Sequence, residues 1–248
     1  MKPILIIPTY NERENIADIH QAIRREHPQD VDILVVDSAS PDKTADRVRE
    51  LQRQDPRLFI YEQTSKLGLG RAYLEAMQWV LKKNQHDLVI TMDADFSHHP
   101  RYIKTLLHHA QDYDLVIGSR YIHGGRLENW PFRRLLMSRF ANGYARMITG
   151  LPFYDLTSGF HCFRMDLLRR ILKHPIHTEG YAFLIELKSL AILEDASFYE
   201  IPICFSDRTK GSSKISKKVI WESVCFVMRQ LLQRSEIRRA YRRKKTAF

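Results

Sequence analysis

Two carboxylates separated by one residue offer the clearest chemistry in this sequence. Asp93-Ala94-Asp95 follows an apolar run, residues 87–92, which predicts a buried strand. Strand alternation would send the two carboxylates to opposite faces, so the chain must turn for both to reach one cation. Two carboxylates that leave other ligand positions to water and phosphate oxygens suit Mg²⁺ or Mn²⁺ beside a diphosphate. Asp93 and Asp95 are therefore candidate metal ligands.

A second group of residues could bind anions. Residues 207–214 combine three cations, three hydroxyl groups and a glycine within eight positions, which fits a phosphate-binding loop or an ordinary polar loop. With Arg120 and Arg134, this segment would supply enough positive charge to hold a diphosphate and a second phosphate near the metal.

Several common motifs are missing from the sequence. No GxGxxG follows the first predicted strand, and there is no Walker A loop, GxSxG elbow or zinc-type His spacing, which excludes dinucleotide oxidoreductases and P-loop NTPases. The widely spaced Cys162, Cys204 and Cys225 predict neither a disulfide framework nor a cysteine metal site, and they indicate a reducing compartment.

The first 120 residues alternate short apolar runs with segments of helical period. This order predicts an α/β fold whose mostly parallel sheet is covered by helices on both faces. Polar clusters follow the strands, so they should meet at one sheet edge, where ligands of such folds bind. Ser40-Pro41-Asp42 is interpreted as the N-cap and first turn of the second helix. The predicted strands are 4–7, 31–36, 58–61, 87–92 and 115–118, and the helices are 12–26, 40–54, 69–83 and one from residue 100.

Two later segments are amphipathic. In residues 131–149, apolar side chains recur at helical spacing among four arginines, which fits either a surface helix on the sheet or a helix at a lipid interface. Residues 216–233 are a second such segment. The last twenty residues, 229–248, hold eight Lys or Arg and one Glu. Such a tail is often merely solvated, and it also suits an anionic membrane surface or nucleic acid.

The composition is that of an ordinary globular chain. Its 248 residues are 44% hydrophobic and 27% charged, with a formal net charge of +10, which predicts one domain with a full core. No apolar stretch approaches the roughly 20 residues that span a bilayer, and residues 4–7 are too short for a signal-peptide core. We expect a cytoplasmic, peripheral protein that touches a membrane from its cytoplasmic face.

Ordered motifs along residues 3–214 carry a resemblance to a known family. The sequence resembles the inverting GT-A glycosyltransferases and, among them, the dolichol-phosphate (polyprenol-phosphate) mannose synthases. The His-His-Pro after the two acids is more similar to the mannose synthases than to their glucose-transferring relatives. The motifs are residues 8–15 (PTYNEREN), 40–42 (SPD), 66–70 (KLGLG), 93–100 (DADFSHHP), 118–121 (GSRY), 138–142 (SRFAN), 155–160 (DLTSGF) and 207–214 (DRTKGSSK).

The resemblance implies a Rossmann-like GT-A fold and a transfer of mannose from GDP-mannose to a polyprenyl or dolichyl phosphate, with Mg²⁺ or Mn²⁺ as cofactor. It implies that Asp93 and Asp95 hold the metal on the donor diphosphate, and that Asp95 and Arg120 are catalytic. The implied substrate contacts are Pro8, Tyr10, Glu12 and Val36 around guanosine, Ala94 and Ser97 beside the metal, Arg120, Arg134 and Ser138 at the lipid phosphate, and Arg208 and Lys214 over the phosphates and sugar.

The sequence departs from the family pattern at two points. The family usually has Asp-Asp after the second strand, and here the pair is Asp37-Ser38, so either residue could make the nucleobase or ribose contact and the base preference is open. Some relatives continue into transmembrane helices, whereas this sequence ends in a basic tail. Membrane access would then come from the amphipathic helices, the tail or a membrane-anchoring partner subunit. These implications divide the chain into a GT-A catalytic domain, 1–214, which includes the interfacial helix 131–149, and a C-terminal amphipathic helix and basic tail, 215–248.

The implied acceptor is a phosphate that is already anionic at neutral pH, so it needs orientation more than deprotonation. In-line attack on the anomeric carbon would invert the sugar and give a β-mannosyl phospholipid.

Two other functions compete with this one. One is a related GT-A transferase that uses another nucleotide sugar, such as UDP-glucose, or another acceptor. The other is a non-enzymatic module, either a regulatory subunit or a nucleic-acid binder, although Tyr241 is the lone aromatic residue within the tail's basic cluster and we expect no nucleic-acid partner.

Overall fold

Strands and helices alternate along most of the chain in the computed structural model, which describes residues 1–27, 30–176, 178, 180–206 and 226–228. The elements in chain order are β1 (Pro3–Thr9), α1 (Arg13–Glu26), β2 (Asp32–Asp37), α2 (Thr44–Gln52), β3 (Leu58–Glu62), α3 (Leu69–Lys83), β4 (Leu88–Thr91), a 3₁₀ turn (Pro100–Tyr102), α4 (Ile103–His109), β5 (Leu115–Ser119), β6 (Arg126–Glu128), α5 (Phe132–Thr149), β7 (His161–Arg164), α6 (Met165–Ile171), α7 (Gly180–Leu193), β8 (Phe198–Pro202) and β9 (Cys204–Ser206).

A seven-stranded sheet forms the centre of the described residues, with the strand order β3-β2-β1-β4-β7-β5-β8. Neighbouring strands are parallel except at β7, which runs antiparallel to both β4 and β5. Strands β6 and β9 form a separate parallel pair. The predicted α/β fold with a mostly parallel sheet is confirmed, and β4 and β5 therefore end at the same edge.

Two apolar clusters cover the two faces of this sheet. Along β1, Ile4 and Ile6 belong to one cluster, while Leu5 and Ile7 belong to the other, because successive side chains of a strand alternate between faces. Helices α3, α6 and α7 pack on the first face, and α1, α2 and α4 pack on the second. Each fully buried aliphatic side chain contributes roughly 1.5–3 kcal/mol, so both layers are held firmly against the sheet.

The start of the second helix differs from the prediction. Ser40 is not its N-cap, because α2 begins at Thr44 and Lys43, with φ 65°, occupies the cap position. Asp42 supplies the capping oxygen, since its Oδ1 accepts a hydrogen bond of 3.0 Å from the Thr44 backbone N–H. The Ser40 hydroxyl instead donates to Asp37 Oδ1 at 2.6 Å. The nearby Asp37 carboxylate thus competes for the hydroxyl that the sequence assigned to the cap.

The amphipathic segment 131–149 forms a helix, α5, whose two ends differ. Tyr144 and Ile148 in its C-terminal half pack against the core, as a surface helix would. Phe132 and Phe140 are each 75% exposed, so the apolar stripe of the N-terminal half faces away from the described protein. The exposed apolar side chains of α5 are Phe132, Leu136, Met137, Phe140 and Met147.

The second amphipathic segment and the basic tail lie outside the described residues except for residues 226–228, which are helical. Of the stripe predicted there, Val227 is buried in the core and Met228 is exposed, and the Tyr144 hydroxyl lies 3.0 Å from Met228 Sδ. The predicted boundary at 214/215 also falls outside them. Within the described ranges, every helix is too short or too polar to cross a membrane.

The core contains the charged side chain of Lys188. Lys188 of α7 has no exposed surface, and its Nζ lies 3.1 Å from the Leu156 carbonyl oxygen, 3.0 Å from that of Ser158 and 2.7 Å from His161 Nε2. Burial lowers the pKa of Lys188 to about 7, although the negative charges of Asp155 and Glu200 act to raise it.

Replacing Lys188 with Met should remove a pH dependence of stability. Below about pH 7 both the folded and the unfolded chain hold the Lys188 proton, while above that pH the folded chain loses it first. Raising the pH toward about 10 therefore favours the folded wild type, by up to about 1.4 kcal/mol per pH unit relative to Lys188→Met. Urea unfolding of both proteins across this range measures the difference. A difference that stays constant with pH would show that Lys188 keeps its ordinary pKa.

Candidate active site

The two candidate metal ligands lie in a turn directly after β4, as predicted. Phe96, with φ 61°, reverses the chain, and the Ser97 backbone N–H donates to Asp95 Oδ1 at 3.1 Å. The Asp93 side chain is 38% exposed, whereas Asp95 and the intervening Ala94 are buried. The turn thus places one accessible and one sheltered carboxylate at the carboxyl end of β4.

Buried hydroxyl groups beside these acids fit a polar ligand. Tyr73 Oη and Ser97 Oγ are buried and have no hydrogen-bond partner among the described residues. Burial raises the pKa of Tyr73 well above its ordinary value, and the negative charges of Asp93 and Asp95 raise it further, so both carboxylates lie near this hydroxyl. Within the described ranges no three His, Cys, Asp or Glu side chains cluster as metal ligands. A pair of carboxylates with oxygen-rich surroundings suits a hard cation that shares its remaining positions with phosphate.

The buried His98 side chain contacts the same turn. Its ring is 1% exposed and stacks on Phe160 at 5.0 Å, and burial lowers the pKa of His98 to about 4. The imidazole is therefore neutral, and its Nδ1 accepts a hydrogen bond of 3.2 Å from the Asp93 backbone N–H. The 3.7 Å approach of His98 Nδ1 to Asp93 Oδ2 is accordingly not an ion pair at neutral pH.

The residues predicted to line a nucleoside pocket lie at the ends of β1 and β2, beside the acids. Pro8 pairs with Val36 across these strands, and Val36 is fully buried. The ring of Tyr10 lies beneath Lys66, whose Nζ is 3.7 Å from the ring centroid. The Glu12 carboxylate accepts from the Asn15 side-chain amide at 2.8 Å. Because β1 lies between β2 and β4, this group adjoins the two acids.

Asp37 and Ser38, the pair that differs from the family pattern, both form hydrogen bonds within the protein. The buried Asp37 carboxylate accepts from the Thr9 hydroxyl at 3.1 Å and from the Ser40 backbone N–H at 2.9 Å. The buried Ser38 hydroxyl donates to Gln63 Oε1 at 2.8 Å. Both side chains therefore shape the loops at this end of the sheet.

Arg120, at the end of β5, forms a buried ion pair. Its Nε donates to Asp155 Oδ2 and its Nη2 to Asp155 Oδ1, both at 2.7 Å, and its backbone N–H donates to Oδ2 at 3.0 Å. The Thr157 hydroxyl also accepts from Nη2 at 2.7 Å. Burial alone would raise the pKa of Asp155, but the Arg120 charge holds it below its ordinary value, so the carboxylate is ionised and fixes the guanidinium.

Contacts along α5 connect Arg134 and Ser138 to this pair. The Ser138 hydroxyl lies 2.7 Å from the hydroxyl of Tyr121, whose ring centroid is 5.2 Å from the Arg120 guanidinium carbon. The Arg134 guanidinium carbon lies 3.9 Å from the centroid of the Trp130 ring. Tyr121 thus joins Ser138 to Arg120, while Arg134 lies against Trp130.

Sequence reasoning did not single out Phe205, which links the two halves of the site. The Phe205 ring centroid on β9 lies 5.3 Å from that of His98, 5.8 Å from that of Trp130 and 5.2 Å from the Arg120 guanidinium carbon. Nothing in the local sequence distinguishes this phenylalanine from a core residue. Arg208 and Lys214, which follow β9 in the chain, lie outside the described residues.

Comparisons with known proteins identify the family of this chain. The family model described as Glycosyl transferase family 2 matches residues 4–172. The chain is 42% identical over 225 residues to the polyprenol monophosphomannose synthase of Mycolicibacterium smegmatis, covering 90% of this chain and 84% of that protein. It is 38% identical to the undecaprenyl-phosphate mannosyltransferase of Micrococcus luteus, with 92% and 93% covered. It is 34% identical to the dolichol-phosphate mannosyltransferase of Pyrococcus furiosus, with 96% and 66% covered.

Solved structures are similar in fold. The glucosyl-3-phosphoglycerate synthase of Mycobacterium tuberculosis, in complex with Mn²⁺, UDP and glucosyl-3-phosphoglycerate, superposes with a TM-score of 0.63 and 18% identity, covering 94% of this chain and 79% of that one. At that identity the likeness shows the fold alone, which is the GT-A fold. The chain belongs to glycosyl transferase family 2 and, by its sequence relatives, to the polyprenyl-phosphate mannosyltransferases within it.

Proposed function

We propose that this protein transfers mannose from GDP-mannose to a polyprenyl (dolichyl-type) phosphate, with inversion at the anomeric carbon and with Mg²⁺ or Mn²⁺ as cofactor. One observation carries the proposal: the acids of the β4 turn and the Arg120–Asp155 pair lie at one sheet edge and are joined through His98 and the Phe205 ring. The names of the three similar mannosyltransferases support the sugar and the class of acceptor.

The donor would bind on the β1, β2 and β4 side of the site. Asp93 and Asp95 would hold the cation with the diphosphate, and a bound cation would neutralise charge on the departing nucleotide. The buried hydroxyl of Ser97, which lacks a partner among the described residues, could bond a water or oxygen of that shell. The remaining proposed donor contacts are Pro8, Tyr10, Glu12, Val36, Asp37, Ser38 and Ala94, with Arg208 and Lys214 closing over the phosphates and sugar.

The acceptor phosphate would bind on the β5 side, to Arg120, Arg134 and Ser138. Arg134 and Ser138 are four residues apart on α5, so both lie on one face of the helix. Asp155 already fixes the Arg120 fork, so little side-chain entropy would be lost when it meets a phosphate. A phosphate monoester is an anionic nucleophile at neutral pH, so orientation replaces a dedicated general base.

The exposed apolar face of α5 supports a peripheral contact with the cytoplasmic face of a membrane. Phe132, Leu136 and Phe140 recur every four residues and are 59–75% exposed, while arginines lie between them. Such a helix can bury its apolar stripe among acyl chains and keep its cations at the headgroups. The basic tail, or a membrane-anchoring subunit, would add to this contact.

Ser38 is a reason to compare GDP-mannose with a second nucleotide-sugar donor. Its hydroxyl is engaged by Gln63, and it replaces the second carboxylate usual in the family at the predicted base or ribose contact. A related transferase that uses UDP-glucose is therefore the alternative that this observation favours.

The proposed reaction predicts a donor preference and a requirement for Asp95. Purified protein, a short polyprenyl phosphate and Mg²⁺ or Mn²⁺ should yield mannolipid from GDP-mannose, and no glucolipid from UDP-glucose, by mass spectrometry. Asp95→Asn should lower the rate at least about 100-fold, because it removes charge that holds the cation. The matched control is Asp46→Asn, whose carboxylate is 60% exposed on α2 and whose loss should leave the rate unchanged. Product from UDP-glucose alone would overturn the proposed donor.

Replacing exposed apolar side chains of α5 should weaken vesicle binding without lowering stability. Phe132→Gln combined with Phe140→Gln should weaken sedimentation with vesicles containing anionic lipid at least about tenfold, because two large apolar side chains no longer enter the bilayer. The melting temperature should hold, since both rings are already exposed. Tyr199→Gln, which removes a 40% exposed ring from β8, is the control and should bind as the wild type does. Equal binding by all three proteins would contradict the assignment of this face.

A further inference from the structure

The loop that enters β7, residues 155–159, lies between the two halves of the candidate site. Its Asp155 and Thr157 side chains accept hydrogen bonds from Arg120. At its other end, a Cβ added to Gly159 would stand 4.0 Å from Asp93 Oδ1. Since β7 lies between β4 and β5, this loop lies between the proposed metal-binding acids and the guanidinium of Arg120.

The same loop is held from the core by Lys188. The carbonyl oxygens of Leu156 and Ser158 accept from Lys188 Nζ at 3.1 and 3.0 Å. Alternate residues of the loop thus face opposite partners: the side chains at 155 and 157 bond Arg120, and the carbonyls at 156 and 158 bond Lys188. Lys188 is fully buried, so water cannot replace these donors.

The hydrogen atoms of the surrounding network can be assigned from its acceptors. The Thr91 hydroxyl donates to the Gly159 carbonyl oxygen at 2.7 Å, which can only accept. His161 Nδ1, 3.1 Å from the same hydroxyl, must therefore carry the hydrogen and donate to it. This leaves His161 Nε2 as the acceptor for Lys188 Nζ at 2.7 Å. When Lys188 is protonated, its three N–H groups match three acceptors.

This network also reaches the acids through β4. Thr91 is the last residue of β4, two positions before Asp93, and it bonds both Gly159 and His161. Lys188 therefore bonds the loop that fixes Arg120 directly, but it reaches β4 only through His161 and Thr91.

Stability alone gives little reason for a lysine here. A buried charge loses its hydration, and a well-packed apolar side chain of similar size often serves the core as well or better. An apolar residue would, however, leave two loop carbonyls and His161 Nε2 without their donor, and the loop would have to move to satisfy them. Such a movement would carry Asp155 and Thr157 away from Arg120.

We propose that Lys188 is a positioning residue for the transfer reaction: by bonding the carbonyls of Leu156 and Ser158 it fixes the 155–159 loop, which orients Arg120 toward the acceptor phosphate. The acceptor role of Arg120 rests on the proposed function. The position of the loop does not, and it can be measured without turnover.

Lys188→Met tests this role, with Ser189→Ala as the matched control. Ser189 is also buried on α7, but its hydroxyl donates to the Ile185 carbonyl of its own helix. For Lys188→Met we expect the KM for polyprenyl phosphate to rise and kcat/KM to fall at least about tenfold. The affinity for GDP with Mn²⁺, measured by calorimetry, should change by less than about twofold. Amide hydrogen exchange should quicken in residues 155–160, and Ser189→Ala should match the wild type in all three measurements.

Three results would overturn the proposal. One is a folded Lys188→Met protein with unchanged exchange in residues 155–160 and an unchanged acceptor KM. Another is a loss of GDP affinity as large as the rise in acceptor KM, which would indicate a general structural defect. The third is the same changes in Ser189→Ala. If Lys188→Met does not fold, Lys188→Gln, which keeps an amide donor for the carbonyls, should fold and show a smaller rise in acceptor KM with GDP affinity retained; an unchanged acceptor KM would again contradict the role.

A wild-type protein that makes no mannolipid would overturn the proposed function separately. In that case the exchange of residues 155–160 alone decides whether Lys188 positions the loop. Faster exchange confined to this segment in Lys188→Met would support that role, and unchanged exchange would refute it.

Discussion

The buried ion pair between Arg120 and Asp155 is the constraint on which the rest of the site depends. It joins the end of β5 to the loop before β7, 35 residues later in the chain, and Asp155 has no exposed surface. In proteins generally, removing one partner of such a pair costs about 3–5 kcal/mol, because the other charge stays buried and unpaired. The pair therefore fixes both the guanidinium and the loop that lies beside Asp93, one of the two acids proposed to hold the metal.

The sheet order sets the distance between the two halves of the site. The acids follow β4 and Arg120 directly follows β5, and one antiparallel strand, β7, lies between these strands. Two strand spacings amount to about 10 Å, and the proposed donor diphosphate, sugar ring and acceptor phosphate would lie across that distance. The aromatic side chain of Phe205 contacts both sides, and β9 brings it there by pairing with β6. The proposed inversion by in-line attack would place the nucleophile and the leaving group on opposite sides of the sugar.

The sequence predicted the sheet and the acids well because local signals determine both. Apolar β-branched runs marked the five strands up to residue 119, and the third helix has the predicted bounds, residues 69–83. The prediction that Ser40 caps the second helix was wrong. Asp42 caps it instead, because the Ser40 hydroxyl bonds Asp37, which belongs to another element. The contacts of Lys188, His161 and Phe205 could not be predicted, since each joins residues far apart in sequence. The roles proposed for the individual site residues remain predictions.

The configuration of the product tests the central claim most directly. The claim is that the β4 acids and Arg120 hold donor and acceptor on opposite sides of the anomeric carbon. The one-bond C1–H1 coupling of mannolipid made by the purified protein from GDP-mannose, measured by NMR, distinguishes the two anomers. We predict the β-mannosyl phosphate, the product of a single inverting displacement. An α-mannosyl product would contradict the account, because retention requires a different arrangement of nucleophile and leaving group.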